Sequence, residues 1–310
     1  MAEGRQILLA APRSFCAGVE RAIDVVERAI ARYGTPVYVR RQIVHNTHVV
    51  RDLESKGAVF VEELDDVPEG SVVVLAAHGV APDIRDEAER RALLTIDATC
   101  PLVAKVHREA RRYADAGYAI VLVGHADHEE IIGTVGEAPA DIDIVERVAD
   151  VIDLRIPADR PVAYLTQTTL ATDETAQVVD ALRDRFPSLE SPKADDICYA
   201  TQNRQDAVRL LAPECDVILV VGSRNSSNSN RLVEVAERAG CAAHLVEDET
   251  EIDPAWIDGA TTIGVTAGAS APETIVERVV SAISRTGACT VHERHLVAES
   301  VHFSLPPEVR

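Results

Sequence analysis

The stretch DATCPLVAKVHREARRYADAGYAIVLVGHADHEE, residues 97–130, contains one complete unit of the pattern that runs through this chain. Cys100 is followed by apolar residues at helical spacing and then by Gly117, which predicts a helix that ends at the glycine. The continuous apolar run at 119–123 predicts a strand of a parallel sheet covered on both faces. This strand ends in a polar tip that contains His128. The unit therefore reads as cysteine, helix, strand and polar tip.

The same unit occurs twice more, around PRSFCAGV and DICYATQ. The cysteines are Cys16, Cys100 and Cys198, and the tips that follow them after 29, 28 and 28 residues contain His45, His128 and Ser226. A further strand in each unit ends in LAAHGV with His78, LTQTTL with Thr168 or GVTAGAS with Ser270. We predict that each cysteine ends a strand and opens a helix. The match between copies is one of pattern and not of residue identity.

Strand-like runs alternate with amphipathic helical runs along the whole chain, as in α/β proteins with parallel sheets. Predicted strands include 7–10, 37–44, 72–77, 119–123, 162–165, 217–221 and 262–266. We predict three pseudo-repeated parallel-sheet domains at 17–100, 101–197 and 198–286, with the N-terminal strand 1–16 and the C-terminal tail 287–310 packing on the third. Because parallel sheets bind ligands at the carboxyl ends of their strands, we expect the cysteines and polar tips to surround a common centre.

Composition restricts the possible functions. The formal net charge is −20, and no cluster of Lys and Arg is present, which disfavours nucleic acid as a partner. Neutral hydrogen-bond donors would have to hold an anionic substrate, because the net negative charge of the protein repels anions. We expect a cytosolic protein, because the sequence shows neither a signal peptide nor a run of about 18 apolar residues. In that compartment six cysteines favour metal binding or catalysis over a disulfide framework.

The three repeated cysteines are candidate metal ligands. A helix N-terminus stabilises the thiolate, which is the form that binds metals. Structural zinc usually needs a fourth protein ligand, whereas a four-iron cluster on three cysteines leaves one iron open to a substrate oxygen. The alternative is a buried cysteine acting as a small hydrophobe. We favour that alternative for Cys215, Cys241 and Cys289, which lie outside the repeat.

The polar tips supply donors for phosphate oxygens. These candidates are His45, His78, His128, Ser226, Ser227, Asn228 and Ser270. GSRNSSNSN precedes a helical run, which predicts an anion site at a helix N-terminus, or alternatively a polar loop with an N-cap. No P-loop and no GxGxxG motif is present, so the usual signatures of ATP and NAD are missing.

Two neighbouring carboxylates, Glu129 and Glu130, follow His128. A carboxyl group near a metal-bound oxygen would serve as a proton donor. Thr168 could orient or relay that proton. The alternatives are a solvated acidic pair and a threonine that only ends a strand.

Together these motifs resemble one family, the 4-hydroxy-3-methylbut-2-enyl diphosphate reductases, also called LytB or IspH. The matching stretches are PRSFCAGV, QIVHN, AAHGV, DATCPLV, GHADHEEIIGT, LTQTTL, DDICYATQNRQ, VVGSRNSSNSNRL, GVTAGASAPE and SVHFSLP. They extend over nearly the whole chain, in one order. The resemblance implies three α/β domains in a trefoil around a central [4Fe-4S] cluster, which agrees with the repeat.

The resemblance also implies the reaction and its residues. The substrate 4-hydroxy-3-methylbut-2-enyl diphosphate loses its hydroxyl group by two-electron reduction, giving isopentenyl and dimethylallyl diphosphate in the last step of the methylerythritol phosphate route. Ferredoxin or flavodoxin supplies the electrons. The implied cluster ligands are Cys16, Cys100 and Cys198, the implied proton source is Glu130 beside Thr168, and the implied diphosphate ligands are His45, His78, His128, Ser226, Ser227, Asn228 and Ser270.

Two positions depart from the family pattern. The family commonly has glycine where this chain has Ser14, and many members have proline where it has Glu129. If position 14 needs a positive φ, serine there costs about 1 kcal/mol. Between the two carboxylates we favour Glu130 as the acid, because the His-x-Glu spacing selects it.

Two other functions remain open on the residues alone. An iron–sulfur redox sensor or electron carrier would bind no substrate, and its polar tips would be dispensable. A cluster-dependent hydro-lyase would remove water without net reduction and would need no electron donor. The set of phosphate donors argues against the sensor, while only the family resemblance separates the reductase from the lyase.

Overall fold

The computed structural model describes residues 5–139, 141–157 and 159–310. These residues form two compact units. The first unit comprises the described residues up to Glu20, His45–Asp52 and Tyr199–His302. The second unit comprises Arg21–Val44, Leu53–Cys198 and Phe303–Arg310.

Strands and helices alternate through the described chain, as predicted. The strands are β1 Arg5–Ala11, β2 Val37–Arg40, β3 Ala58–Val61, β4 Val72–Leu75, β5 Leu94–Asp97, β6 Ala119–Val123, β7 Ile142–Val145, β8 Val162–Thr166, β9 Val217–Val221, β10 Ala242–Val246, β11 Thr262–Ala267 and β12 Cys289–His295. The α-helices are α1 Ala17–Tyr33, α2 Thr47–Lys56, α3 Pro82–Arg90, α4 Pro101–Asp115, α5 Glu129–Glu137, α6 Val148–Asp153, α7 Thr172–Arg185, α8 Tyr199–Leu211, α9 Ser227–Arg238, α10 Pro254–Ile257 and α11 Glu273–Ser284.

The strands form three sheets, and the strand pairs in all three are parallel. The first unit contains one sheet of order β10-β9-β11-β1-β12. The second unit contains two, of order β3-β2-β4-β5 and β7-β6-β8. In each sheet the first strand after the repeated cysteine lies between the second and the third, so the three repeats share one strand order. The predicted fold class, α/β with three parallel-sheet repeats, is confirmed; the predicted domain boundaries stay a prediction.

The predicted burial of the central strands is also confirmed. β6 and β9 are buried at every position, because side chains of flanking helices cover both faces of their sheets. Both strands begin and end where the apolar runs predict. None of the helices in the described ranges combines the length and apolar character needed to cross a bilayer.

Several local predictions were wrong. β4 ends at Leu75 and not at residue 77, and β1 ends at Ala11, five residues before Cys16. β2 ends at Arg40 and not at residue 44, because Arg41 takes a left-handed conformation with φ of 57° that interrupts the strand. Cys198 does not end a strand, because an irregular segment that contains Pro187 and Pro192 separates it from α7. All three cysteines nevertheless directly precede helices, namely α1, α4 and α8.

Candidate functional site

In the second unit, two of the repeated cysteines are held at the carboxyl ends of strands. The backbone N–H of Cys100 donates to the carbonyl of Ala77, at 2.9 Å, just beyond β4 and beside His78. The backbone N–H of Cys198 donates to the carbonyl of Thr168, at 3.1 Å, just beyond β8. Cys198 therefore reaches the end of a strand through a loop, although no strand leads directly into it.

Glu130 and Thr168 form a buried pair in this unit. The backbone N–H of Thr168 donates to Oε1 of Glu130 at 2.7 Å, and its hydroxyl donates to Oε2 at 2.9 Å. Glu130 is only 2% exposed. Burial and, to a lesser degree, the nearby charge of Asp196 raise the pKa of Glu130 to about 7. The two hydrogen bonds from Thr168 act in the opposite direction but do not cancel this rise. A carboxyl group with this pKa can hold and release a proton near neutral pH.

Two predicted histidines lie beside this pair. His128 precedes α5, and its Nδ1 accepts the backbone N–H of Glu130 at 3.1 Å, so the neutral ring carries its proton on Nε2. The ring of His78 lies edge-on to that of His128, with centroids 5.8 Å apart. Burial lowers the pKa of His78 to about 4, which keeps this ring neutral at pH 7.

The neighbouring carboxylate, Glu129, points to a different set of partners. Its Oε2 lies 3.3 Å from Nδ1 of His78, and its Oε1 lies 3.8 Å from the guanidinium of Arg41. Of the two glutamates, Glu130 is the one that contacts Thr168. The substitution of the family's proline by Glu129 thus leaves the buried pair intact.

Sequence reasoning missed Asp196, which lies two residues before Cys198. Its side chain is fully buried, accepts the backbone N–H of Thr166 at 2.9 Å and pairs with Lys105 at 2.9 Å. Burial raises the pKa of Asp196 to about 6, although Lys105 and the hydrogen bond from Thr166 lower it. The only signal in the sequence was an acidic residue close to a repeated cysteine.

In the first unit, the third cysteine lies beside predicted diphosphate ligands. The backbone N–H of Cys16 donates to the carbonyl of Ala269 at 3.2 Å. The N–H of Ala269 in turn donates to Oδ1 of Asn228 at 2.8 Å. The hydroxyl of Ser270 donates to the carbonyl of His45 at 3.0 Å. One hydrogen-bonded segment, 269–270, therefore contacts three of the predicted residues.

The helix predicted after GSRNSSNSN is α9, which begins within that stretch at Ser227 and has Ser226 as its N-cap. The hydroxyl of Ser226 accepts the backbone N–H of Ser229 at 3.3 Å. Ser227 opens the helix and is half-buried, while Ser226 and Asn228 are buried. The N-cap and the anion site are compatible, since the first turn of a helix leaves N–H groups directed outward.

Ser14 does adopt the conformation that favours glycine, with φ of 61°. Its hydroxyl donates to Oε2 of Glu273 at 2.6 Å, an interaction that glycine could not make. Its carbonyl accepts the guanidinium of the fully buried Arg204 at 2.7 and 3.1 Å. The loop before Cys16 is therefore held by hydrogen bonds on both its side chain and its backbone.

The donor set fits an iron–sulfur group better than it fits buried structural thiols. Cys16, Cys100 and Cys198 are half-buried, unbridged by disulfides and placed directly before helices. Cys215 and Cys241 precede strands β9 and β10 rather than α-helices. Burial raises the pKa of Cys215 to about 12 and also raises the pKa of Cys241, which disfavours the thiolate form in these two residues. Among the residues that the structure describes, no group of three His, Cys, Asp or Glu side chains is arranged to hold a single metal ion.

Comparison with known proteins decides the family. A family profile described as LytB protein matches residues 7–284. The chain belongs to the LytB family. The resemblance drawn from the motifs is therefore confirmed, and LytB membership implies an iron–sulfur cofactor.

Relatives in the LytB family match along nearly the whole chain. The 4-hydroxy-3-methylbut-2-enyl diphosphate reductase of Acidothermus cellulolyticus is 57% identical over 307 residues, 99% of this chain and 90% of that protein. The solved structure of the E-1-hydroxy-2-methyl-but-2-enyl-4-diphosphate reductase from Plasmodium falciparum matches with a TM-score of 0.95 and 38% identity, over 99% of this chain and 97% of that one. A solved (E)-4-hydroxy-3-methyl-but-2-enyl diphosphate reductase, described as the terminal enzyme of the non-mevalonate pathway, matches with a TM-score of 0.64 and 32% identity, over 91% and 99%.

Proposed function

We propose that this chain catalyses the reductive dehydroxylation of 4-hydroxy-3-methylbut-2-enyl diphosphate to isopentenyl and dimethylallyl diphosphate. The observation that carries the proposal is the buried Glu130–Thr168 pair, which lies in one unit with the loops of two repeated cysteines. A carboxyl group with a pKa of about 7 is suited to deliver a proton at neutral pH. The names of relatives at 57% identity support the same reaction.

The proposed cofactor is a [4Fe-4S] cluster with three cysteine ligands, Cys16, Cys100 and Cys198. When bound, such a cluster supplies electrons and an open iron that acts as a Lewis acid toward a substrate oxygen. The protein holds the backbone of each cysteine both through its N–H, which is hydrogen-bonded, and by a helix that starts at the next residue. The backbone N–H of each cysteine is therefore held by a contact within its own unit.

The residues of the second unit handle protons. Two electrons and two protons enter the reaction, the C–O bond breaks, the hydroxyl leaves as water and a C–H bond forms. Glu130 supplies one of the protons, and the two hydrogen bonds from Thr168 fix the orientation of its carboxyl group. The electrons come from ferredoxin or flavodoxin.

The diphosphate is held by neutral donors and by the start of α9. Ser226, Ser227 and Asn228 place backbone and side-chain donors at a helix N-terminus, where negative charge is favoured. His45 and Ser270 lie in the same unit, linked by a hydrogen bond of 3.0 Å. In the second unit, His78 and His128 are donors of the same kind. Neutral donors are needed because the formal net charge of −20 repels anions.

The test is anaerobic turnover of 4-hydroxy-3-methylbut-2-enyl diphosphate, with and without a chemical reductant, on the wild type and Glu130→Gln. Reductant-dependent formation of both five-carbon diphosphates, reduced by about 100-fold or more in the Gln variant, supports the reaction and the acid. Glu129→Gln is the matched control for kcat at saturating substrate, because it removes a neighbouring carboxylate that contacts His78 and not Thr168. Turnover without reductant would indicate a hydro-lyase, and an intact cluster with no turnover would indicate a sensor.

A further inference from the structure

Lys105 lies one turn into α4, the helix that begins directly after Cys100, and it contacts the loop that precedes Cys198. Its ammonium donates to three oxygens of that loop: the carbonyls of Ala194 and Asp195, the latter at 3.0 Å, and Oδ1 of Asp196 at 2.9 Å. Helical side chains lean toward the N-terminus of their helix, so this ammonium lies at the same end of α4 as Cys100.

The loop is also attached to β8. The second carboxylate oxygen of Asp196 accepts the backbone N–H of Thr166 at 2.9 Å, where β8 ends. Two residues further on, the N–H of Cys198 donates to the carbonyl of Thr168 at 3.1 Å. The loop thus joins the strand that ends beside Glu130 to the helix that follows Cys100.

A lysine at this position satisfies a carboxylate that has no access to solvent. The side chain of Asp196 is 0% exposed, whereas that of Lys105 is 20% exposed. Removing one member of a buried ion pair leaves the other uncompensated, which is strongly unfavourable. Without Lys105 the three hydrogen bonds that hold the loop against α4 are lost, and of the two contacts of Asp196 described above only the N–H of Thr166 is left.

We propose that Lys105 is a positioning residue that fixes Cys198 relative to Cys100. This inference rests on the proposal that these two cysteines are cluster ligands. Neither cysteine is contacted by Lys105 in the hydrogen bonds described above, so its effect passes through Asp196 and the loop backbone. Residues that orient metal ligands in this way typically change metal affinity by about 10-fold to 100-fold when they are replaced.

The test compares Lys105→Met with Lys193→Met in anaerobically prepared holoenzyme. Lys193 is exposed and lies three residues before Asp196, so its replacement makes the same charge change beside the same loop. The measurements are the rate of iron loss to a chelator and the electron paramagnetic resonance spectrum of the reduced protein. We expect Lys105→Met to lose iron about 10-fold to 100-fold faster with an altered spectrum, and Lys193→Met to stay within about twofold of the wild type.

Two further variants keep the inference testable if Lys105→Met folds poorly. Lys105→Arg retains the charge and should recover part of the cluster stability. Asp196→Asn removes the acceptor charge with little change of shape, and in combination with Lys105→Met it should add little further loss, because the two residues act as one unit. Additive effects of the two changes would overturn the inference.

The outcomes separate this inference from the proposed function. Wild-type iron loss and a wild-type spectrum in Lys105→Met would overturn the role of Lys105. If Cys100→Ala or Cys198→Ala retained the full cluster, the ligand assignment itself would be wrong. Loss of the cluster in the cysteine variants, with no effect of Lys105→Met, would leave the ligands in place and remove only the positioning role.

Discussion

Replacing Ser14 tests whether the loop before Cys16 is stabilised by a hydrogen bond that offsets its strained backbone. Ser14→Ala keeps the left-handed φ of 61° but loses the bond to Glu273. Loss of this bond should lower the free energy of unfolding by about 1–2 kcal/mol. This value is at the low end for a hydrogen bond to a charged group, because the Glu273 side chain is 42% exposed. Ser14→Gly loses the same bond but regains about 1 kcal/mol from relief of the strain.

The expected order of stability is therefore wild type, then Ser14→Gly, then Ser14→Ala. Denaturant unfolding of the three holoenzymes gives the free energies, and amide exchange at Cys16 reports the loop directly, because its N–H is bonded to Ala269. A Ser14→Ala variant as stable as the wild type would refute the contribution of Glu273. A Ser14→Gly variant more stable than the wild type would show that strain outweighs the hydrogen bond.

Three further predictions concern the second unit and the cysteines. With a pKa of about 7, Glu130 is protonated below that pH, so kcat should fall about tenfold per pH unit above pH 7. Thr168→Val removes the side-chain hydrogen bond that favours the ionised form of Glu130, so the fall in kcat should move to higher pH. A kcat that stayed constant from pH 6 to about 9 in the wild type and in Thr168→Val would contradict both predictions. His128→Ala removes the N-cap of α5 and should lower the free energy of unfolding by about 0.5–2 kcal/mol, whereas His128→Asn, which can still cap, should recover most of it. Cys100→Ala should lower the iron content of anaerobic preparations, while Cys215→Ala should not; equal iron in both variants would argue against the proposed ligand set.

Much of the fold could be predicted from local patterns in the sequence. Continuous apolar runs indicated the bounds of β6 and β9, because strands buried on both faces consist mostly of apolar residues. The position of each repeated cysteine before a helix followed from the spacing of apolar residues after it. The strand error at β2 has a local cause, since nothing in an apolar run reveals that Arg41 turns into a left-handed conformation.

The parts of the site that sequence did not reveal depend on contacts between distant positions. Lys105 and Asp196 are 91 residues apart in the chain, and neither lies in an unusual local pattern. The hydrogen bond between Ser14 and Glu273 joins residues 259 positions apart. The sequence therefore did not indicate that a hydrogen bond offsets the backbone strain at Ser14. By contrast, the pairing of Glu130 with Thr168 could be anticipated, because both follow strands of one repeat.

The shared strand order of the three sheets explains why this pairing arises. When the first strand lies between the second and the third, the helices that follow the first and the third strands cover opposite faces of the sheet, as α5 and α7 do around β6 and β8. This arrangement creates a topological switch point between the first and third strands. In the sheet of β6, β7 and β8, the Glu130–Thr168 contact spans that point. In the sheet of β9, β10 and β11, the Asn228–Ala269 contact spans the equivalent point. The proposed proton donor and one proposed phosphate donor thus occupy corresponding crevices, so one repeated topology would supply two different chemical functions.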